Sequence, residues 1–164
     1  MRLEDYSVRI AMNPFEEKVC IETSSEKILI PWMKSRGWVF GEHYPKFDTR
    51  GDYPITRDGI TKNIELKAEQ KTTGNLFVEW ASNANVGRQR WGWYYTLRAD
   101  ILLYHFLDEN TVHVIDVKRL QECELWRHKT AAATIEQHNL TLGWLVPVEY
   151  LRAMSGITHT HQLG

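Results

Sequence analysis

Cysteine is scarce in this chain: Cys20 and Cys123 are its only two, far apart and outside any CxxC spacing. That argues against a disulfide framework or a structural zinc site and makes a reducing cytoplasm the expected compartment. Long apolar runs are missing as well. The longest, Ile101 to Leu107, is strand-sized and well short of the about 18 residues that a membrane span needs. The opening MRLEDYSVR has no apolar signal core, so neither a leader nor a membrane partner is expected. Walker loops, GxGxxG fingerprints, GxSxG elbows and HExxH helices are all absent, which sets aside the chemistries those motifs carry. Bulk charge of one sign is lacking too. A formal net charge of −1 does not mark a general nucleic-acid binder, although a bound cation would offset part of any carboxylate cluster.

What is present is ordinary for a globular chain: 164 residues, 43% hydrophobic and 25% charged, with no repeat, linker or low-complexity stretch. One domain over residues 1–156 is expected, followed by a flexible tail over 157–164 that carries His159-x-His161. Asn13-Pro14 suits a helix start, and Ser24 or Ser25 a second one, with Glu26 to Ser35 helical and Gly37 closing it. Pro31 predicts a kink or two segments. Strands are expected over Trp38–Tyr44, Leu76–Ser82, Asp100–Leu107, Thr111–Val117 and Leu142–Val148. A helix capped by Asp116 and a short one over Val148–Met154 complete the pattern. The fold class is α/β (α+β), a central mixed and largely antiparallel β-sheet flanked by helices.

The stretch from Gly51 to Lys71 carries the chemistry. Asn63, Glu65, Lys67 and Glu69 alternate with Ile64, Leu66 and Ala68, the period of a half-buried strand. Asp58-Gly59 suits a two-residue hairpin turn, and counting outward from Arg57 opposite Ile60 sets Asp52 opposite Glu65. Cross-strand Cβ atoms lie roughly 4.5–5.5 Å apart, and Lys67 follows about 7 Å along the same face. Two carboxylates that close invite a shared proton or a divalent cation. Mg²⁺ takes hard oxygen ligands, polarises phosphoryl oxygens and acidifies bound water. An ammonium beside it can orient that water or offset charge on phosphate. Asp52, Glu65 and Lys67 thus form a plan for phosphodiester hydrolysis, with the proviso that Pro54 favours an edge strand or a bulge.

Asp52 followed by Glu65-Leu66-Lys67 resembles the PD-(D/E)XK nuclease superfamily, with Gly51 in place of its proline. TGNLFVEW and RADILLYHF extend the resemblance, to small phage-type members, over roughly residues 26 to 116. The resemblance implies a restriction-endonuclease-like fold and Mg²⁺, with Mn²⁺ able to substitute. It makes Asp52 and Glu65 metal ligands, the Leu66 carbonyl a further one, and Lys67 the catalytic lysine. An acidic residue from the preceding helix sometimes joins such sites. Glu26 is the candidate, ahead of Glu16 and Glu22, and Glu79 is a candidate ligand from the next strand.

Between Asn83 and Arg98, arginines alternate with Trp91, Trp93, Tyr94 and Tyr95. Guanidinium groups bind phosphate and rings stack on unpaired bases, so Arg88 and Arg90 are candidate DNA contacts. Core or flank packing is the expected role of the rings themselves. Lys71, Thr73, Asn75 and Ser82 are candidate phosphate donors nearby. The expected partner is DNA, and cutting a duplex with so small a chain implies a homodimer or larger complex. Two other classes fit parts of the pattern. A non-catalytic nuclease-fold binding protein, such as a phage inhibitor or accessory factor, suits the near-neutral charge. A carbohydrate-active enzyme suits seven tryptophans and paired carboxylates, but has no need of the lysine.

Overall fold

The computed structural model describes residues 14–83, 90–123, 126, 131–136, 139–154 and 156–164. Helix α1 (Pro14–Ser35) opens the described chain. Strands β1 (Val39–Phe40), β2 (Tyr53–Arg57) and β3 (Ile60–Glu69) follow, then β4 (Asn75–Ser82), β5 (Arg90–Trp91) and the one-turn α2 (Trp93–Thr96). Next come β6 (Ile101–Phe106), β7 (Thr111–Asp116), α3 (Val117–Glu122), β8 (Ala131–Glu136), β9 (Asn139–Pro147), α4 (Val148–Ala153) and β10 (Thr158–Gln162).

The strands form a six-stranded sheet, β1-β2-β3-β6-β7-β10, and a four-stranded one, β5-β4-β9-β8. In the large sheet β3 and β6 run parallel while the other neighbours are antiparallel. The expected mixed sheet flanked by helices is present, with a second sheet that periodicity did not reveal. Leu29 and Met33 of α1 cover one face, packing on Ile55, Ile64, Leu103 and Val112. The other face meets the small sheet and the short helices through Leu102, Tyr104, Phe106, Leu76, Val78, Val146, Leu120 and Leu151. Strand β6 is therefore covered on both sides, and Leu102 to Phe106 are all buried, as an inner strand with a parallel neighbour requires.

Several expectations change in detail. One continuous helix replaces the two segments, with Pro31 inside it. Ser25 does not act as a cap: it is buried and its hydroxyl meets His105 Nδ1 at 2.8 Å, tying α1 to β6. Asn13 lies outside the described residues. Gly37 does take positive φ at 86°, past the helix end, where a residue without Cβ is favoured. Residues 157–164 are no loose tail: β10 pairs with β7 from Thr158↔Ile115 to Gln162↔Thr111, and Leu163 is buried. Pairing along an otherwise open edge and burying Leu163 supply what the short polar sequence does not advertise. Among the described residues no helix is long and apolar enough to cross a membrane.

Candidate active site

The hairpin turn forms as its sequence predicts, with Asp58 and Gly59 at φ 52° and 75°. Its register runs without a bulge from Arg57↔Ile60 to Tyr53↔Ile64. Pro54 fits because the register continues straight through it opposite Asn63. Beyond Tyr53 the chain leaves the ladder while β3 continues for five more residues, so among the described residues no strand lies beside the edge of β3 from Glu65 to Glu69 on that side. Gly51 makes that departure possible. Its φ is 105°, which proline's ring forbids, and an added Cβ would stand 2.5 Å from the Ile64 carbonyl oxygen. Glycine at position 51 is therefore a geometric requirement of this hairpin.

Asp52 fills the vacated edge. Its backbone N–H donates to the Ile64 carbonyl at 2.7 Å, and its Oδ2 accepts from the Leu66 N–H at 2.7 Å. The carboxylate thus takes the place of the next ladder partner. In an extended strand a residue's N–H and C=O point to the same edge, so the Leu66 carbonyl faces this open side too. Lys67 Nζ donates to Glu65 Oε1 at 3.1 Å and lies 5.6 Å from the centre of the Trp93 ring. His43 Nε2 lies 3.8 Å from Asp52 Oδ1.

These groups line a cavity of about 410 Å³ between the open edge of β3, the loop before Asp52 and the inner face of α1. Asp52, Glu65, Leu66 and Lys67 form one wall, Glu22, Ser25 and Glu26 a second, and His43, Lys46 and Phe47 the mouth. Asp52 feels the arrangement most. Burial, and then the Glu65 charge, push its carboxyl up to about 6, against the opposing pull of the Leu66 N–H, Lys67 and His43. Four acids, Asp52, Glu65, Glu22 and Glu26, line the recess against two lysines, Lys46 and Lys67.

The structure sorts the other candidates. Glu26 and Glu22 reach the cavity from α1, and Tyr53 is held above its usual pKa by burial and by Glu26. Glu16 is exposed on the same helix and does not line the cavity. Glu79 sits on β4 in the small sheet, where its backbone packs closely against Gly92, and is not among the cavity's walls. Among the described residues no group of three or more His, Cys, Asp or Glu side chains is gathered to hold a metal ion. Lys71, Thr73, Asn75, Ser82 and Arg90 also lie outside the cavity. Thr73 bonds with Asn75, and Ser82 pairs with Arg90 across β4 and β5. Arg88 is outside the described residues. The aromatic stretch divides: Tyr94 is buried among Trp126 and Trp144, but Trp91 and Tyr95 are exposed and touch edge to face at 5.1 Å. Those two do not serve as core. Sequence reading missed the loop residues His43, Lys46 and Phe47. Their sole signal was a position a few residues before Asp52.

No protein-family model matches the chain, and no curated protein does. Among solved structures, it is similar to the bacterial homing endonuclease I-Ssp6803I, at 15% identity and a TM-score of 0.51 over 64% of this chain and 72% of that one. The likeness is one of fold, and it gives this chain a nuclease-like architecture.

Proposed function

We propose that the chain is a metal-dependent deoxyribonuclease of the PD-(D/E)XK kind, hydrolysing DNA phosphodiester bonds at Asp52, Glu65 and Lys67. The observation that carries this reading is the convergence of those three side chains in one cavity, at the point where β2 ends and β3 continues. Similarity to a homing endonuclease adds a fold used for cutting DNA.

The donor set suits Mg²⁺, or Mn²⁺ in its place. Two carboxylates and the Leu66 carbonyl are hard oxygens, fewer than six, and Mg²⁺ commonly completes its shell with water and substrate phosphate. Glu26, with Glu22 behind it, is a reserve ligand that lines the cavity from α1. The raised pKa of Asp52 fits as well, because uncompensated negative charge favours a divalent cation. When bound, the metal supplies Lewis acidity toward phosphate and an acidified water. The chain's own groups do the rest. The Leu66 N–H fixes the rotamer of Asp52. Lys67, held on Glu65 beside Trp93, orients the attacking water or offsets charge on the phosphate. Arg90, Lys71, Thr73, Asn75 and Ser82 would track the DNA backbone further out, Arg88 remains a candidate from the sequence, and two copies would be needed to cut both strands.

The test is cleavage of labelled linear, circular, single-stranded and branched DNAs with Mg²⁺ or Mn²⁺, alongside Lys67→Ala, Asp52→Asn and an EDTA control. Metal-dependent cutting abolished in both variants is the expected result. No cutting of any DNA by folded, metal-supplied protein would overturn the reading in favour of a nuclease-fold binding protein, which the net charge of −1 would suit.

A further inference from the structure

We propose that Phe47 is a base-stacking wedge at the mouth of the cavity, and that the favoured substrate carries an unpaired or easily unstacked base beside the scissile phosphate. This rests on the nuclease reading above and narrows its substrate class. Phe47 is 82% exposed, more than any other large hydrophobic residue among those described. Its backbone sits at φ 67°, a region where a bulky side chain is an outlier. Exposure and backbone strain both oppose folding, and strain of this kind concentrates at functional sites.

The surrounding turn does not call for phenylalanine. The Asp48 N–H donates to the Pro45 carbonyl and the Gly51 N–H to the Asp48 carbonyl, each at 3.1 Å. These backbone bonds would form equally with glycine or asparagine at position 47, the usual residues at positive φ. What phenylalanine adds is a ring in water, placed on the same cavity as Asp52, Glu65 and Lys67. Lys46 Nζ lies 5.2 Å from the ring centre, and His43 lines the same mouth. An aromatic face with a cation beside it matches a nucleotide, the base on the ring and the phosphate on the ammonium. Apolar rings that enter duplexes do so by unstacking a base step, which is easiest where pairing is already broken. The Lys46 ammonium beside the ring favours a polyanion over a second copy of the chain as its occupant.

The test uses the full chain and DNAs of one sequence made single-stranded, gapped, mismatched or fully paired, with 2-aminopurine next to the cleaved phosphate. Wild type, Phe47→Ala and Phe47→Trp are compared in Mg²⁺ for cleavage. Fluorescence is read in Ca²⁺, and circular dichroism checks folding. The expected result is preferential cutting of the broken-paired DNAs by wild type and Phe47→Trp. Phe47→Ala should lose that preference through a KM raised about 10- to 100-fold, with kcat held and the change in 2-aminopurine fluorescence absent. Equal cutting of all four DNAs by wild type and Phe47→Ala would overturn the wedge and leave the nuclease intact. An effect of Phe47→Ala on oligomeric state in sedimentation, with no effect on DNA, would assign the ring to a contact between copies and overturn it too. Failure of wild type to cut or bind any DNA would remove both readings.

Discussion

Asp52→Asn should make the metal-free protein more stable at neutral pH while removing its proposed activity. In the fold the Asp52 carboxyl is pushed from its ordinary 3.8 up to about 6, first by burial and then by Glu65. Because the folded pKa is raised, the native state binds the proton more tightly than the unfolded chain between those two values. Stability at this site therefore falls as pH rises from about 4 to about 6 and stays reduced above that. At 1.36 kcal/mol per pH unit the ionised group costs about 3 kcal/mol at pH 7. A quarter of the side chain remains accessible to water, and screening brings that to about 1–3 kcal/mol. Asparagine carries no charge, and its amide oxygen can still accept from the Leu66 N–H. The assay is urea unfolding of wild type and variant at pH 7 and pH 4, with chelator present. All other titrating groups are common to both proteins, so the change in their difference isolates Asp52. The variant should lead by about 1–3 kcal/mol at pH 7, and the lead should shrink by about that amount at pH 4. Millimolar Mg²⁺ at pH 7 should raise the wild-type midpoint more than the variant's. A variant equally destabilised at both pH values would refute the reasoning, since Asp52 would then be a net stabilising carboxylate.

Other perturbations test neighbouring parts of the argument. Gly51→Ala places a methyl group 2.5 Å from the Ile64 carbonyl oxygen at φ 105°, so it should destabilise by about 2–5 kcal/mol in urea unfolding. Cleavage should fall with it, because Asp52 is displaced. Deleting residues 158–164 removes β10 and uncovers the core under Leu163. A large fall in melting temperature is expected, whereas a tail would leave it unchanged. Trp91→Ala should alter stability by no more than about 0.5 kcal/mol, since the ring is 63% exposed. If the Trp91–Tyr95 pair stacks on bases, single-strand affinity should drop by about 5- to 100-fold in a fluorescence anisotropy titration.

How legible each part was depended on how local its cause is. The β2–β3 hairpin was readable because Asp58-Gly59 and the alternation from Asn63 to Glu69 specify turn and register within a dozen residues. Counting outward set Asp52 directly opposite Glu65, but the ladder ends at Tyr53↔Ile64 and Asp52 instead accepts from the Leu66 N–H. The β6–β7 pair and the Asp116 cap, which accepts from the Arg119 N–H at 3.0 Å, were equally local. The sheet that carries Glu79 was not legible because alternation gives a strand's two faces but not the sheet it joins, and β4 pairs with β9, more than sixty residues away in sequence. Strand β10 was missed for the same reason: THTHQ has little hydrophobic signal, and its pairing with β7 supplies the order. Trp91 and Tyr95 were expected to pack in the core or on its flank, and residue type alone could not say which, because exposure is set by the packing of α2 against β4.

The site itself arises from a mismatch in strand length. Strand β3 has ten residues and β2 five, and an unpaired sheet edge normally invites another strand. Here the edge is guarded. The Asp52 carboxylate takes the Leu66 N–H that a further ladder residue would have taken, and His43 and Lys46 occupy the approach. The same substitution turns a structural liability into a recess where a carboxylate, a backbone carbonyl and Glu65 face a common space. Satisfying the Leu66 N–H with a side-chain acid instead of a main-chain carbonyl brings negative charge to the edge, where burial and Glu65 raise the Asp52 pKa against the pull of that same N–H. Extending β2 by one regular residue would pair the edge and stabilise the sheet, but it would close the recess and leave Glu65 and Lys67 as an ordinary ion pair on a strand.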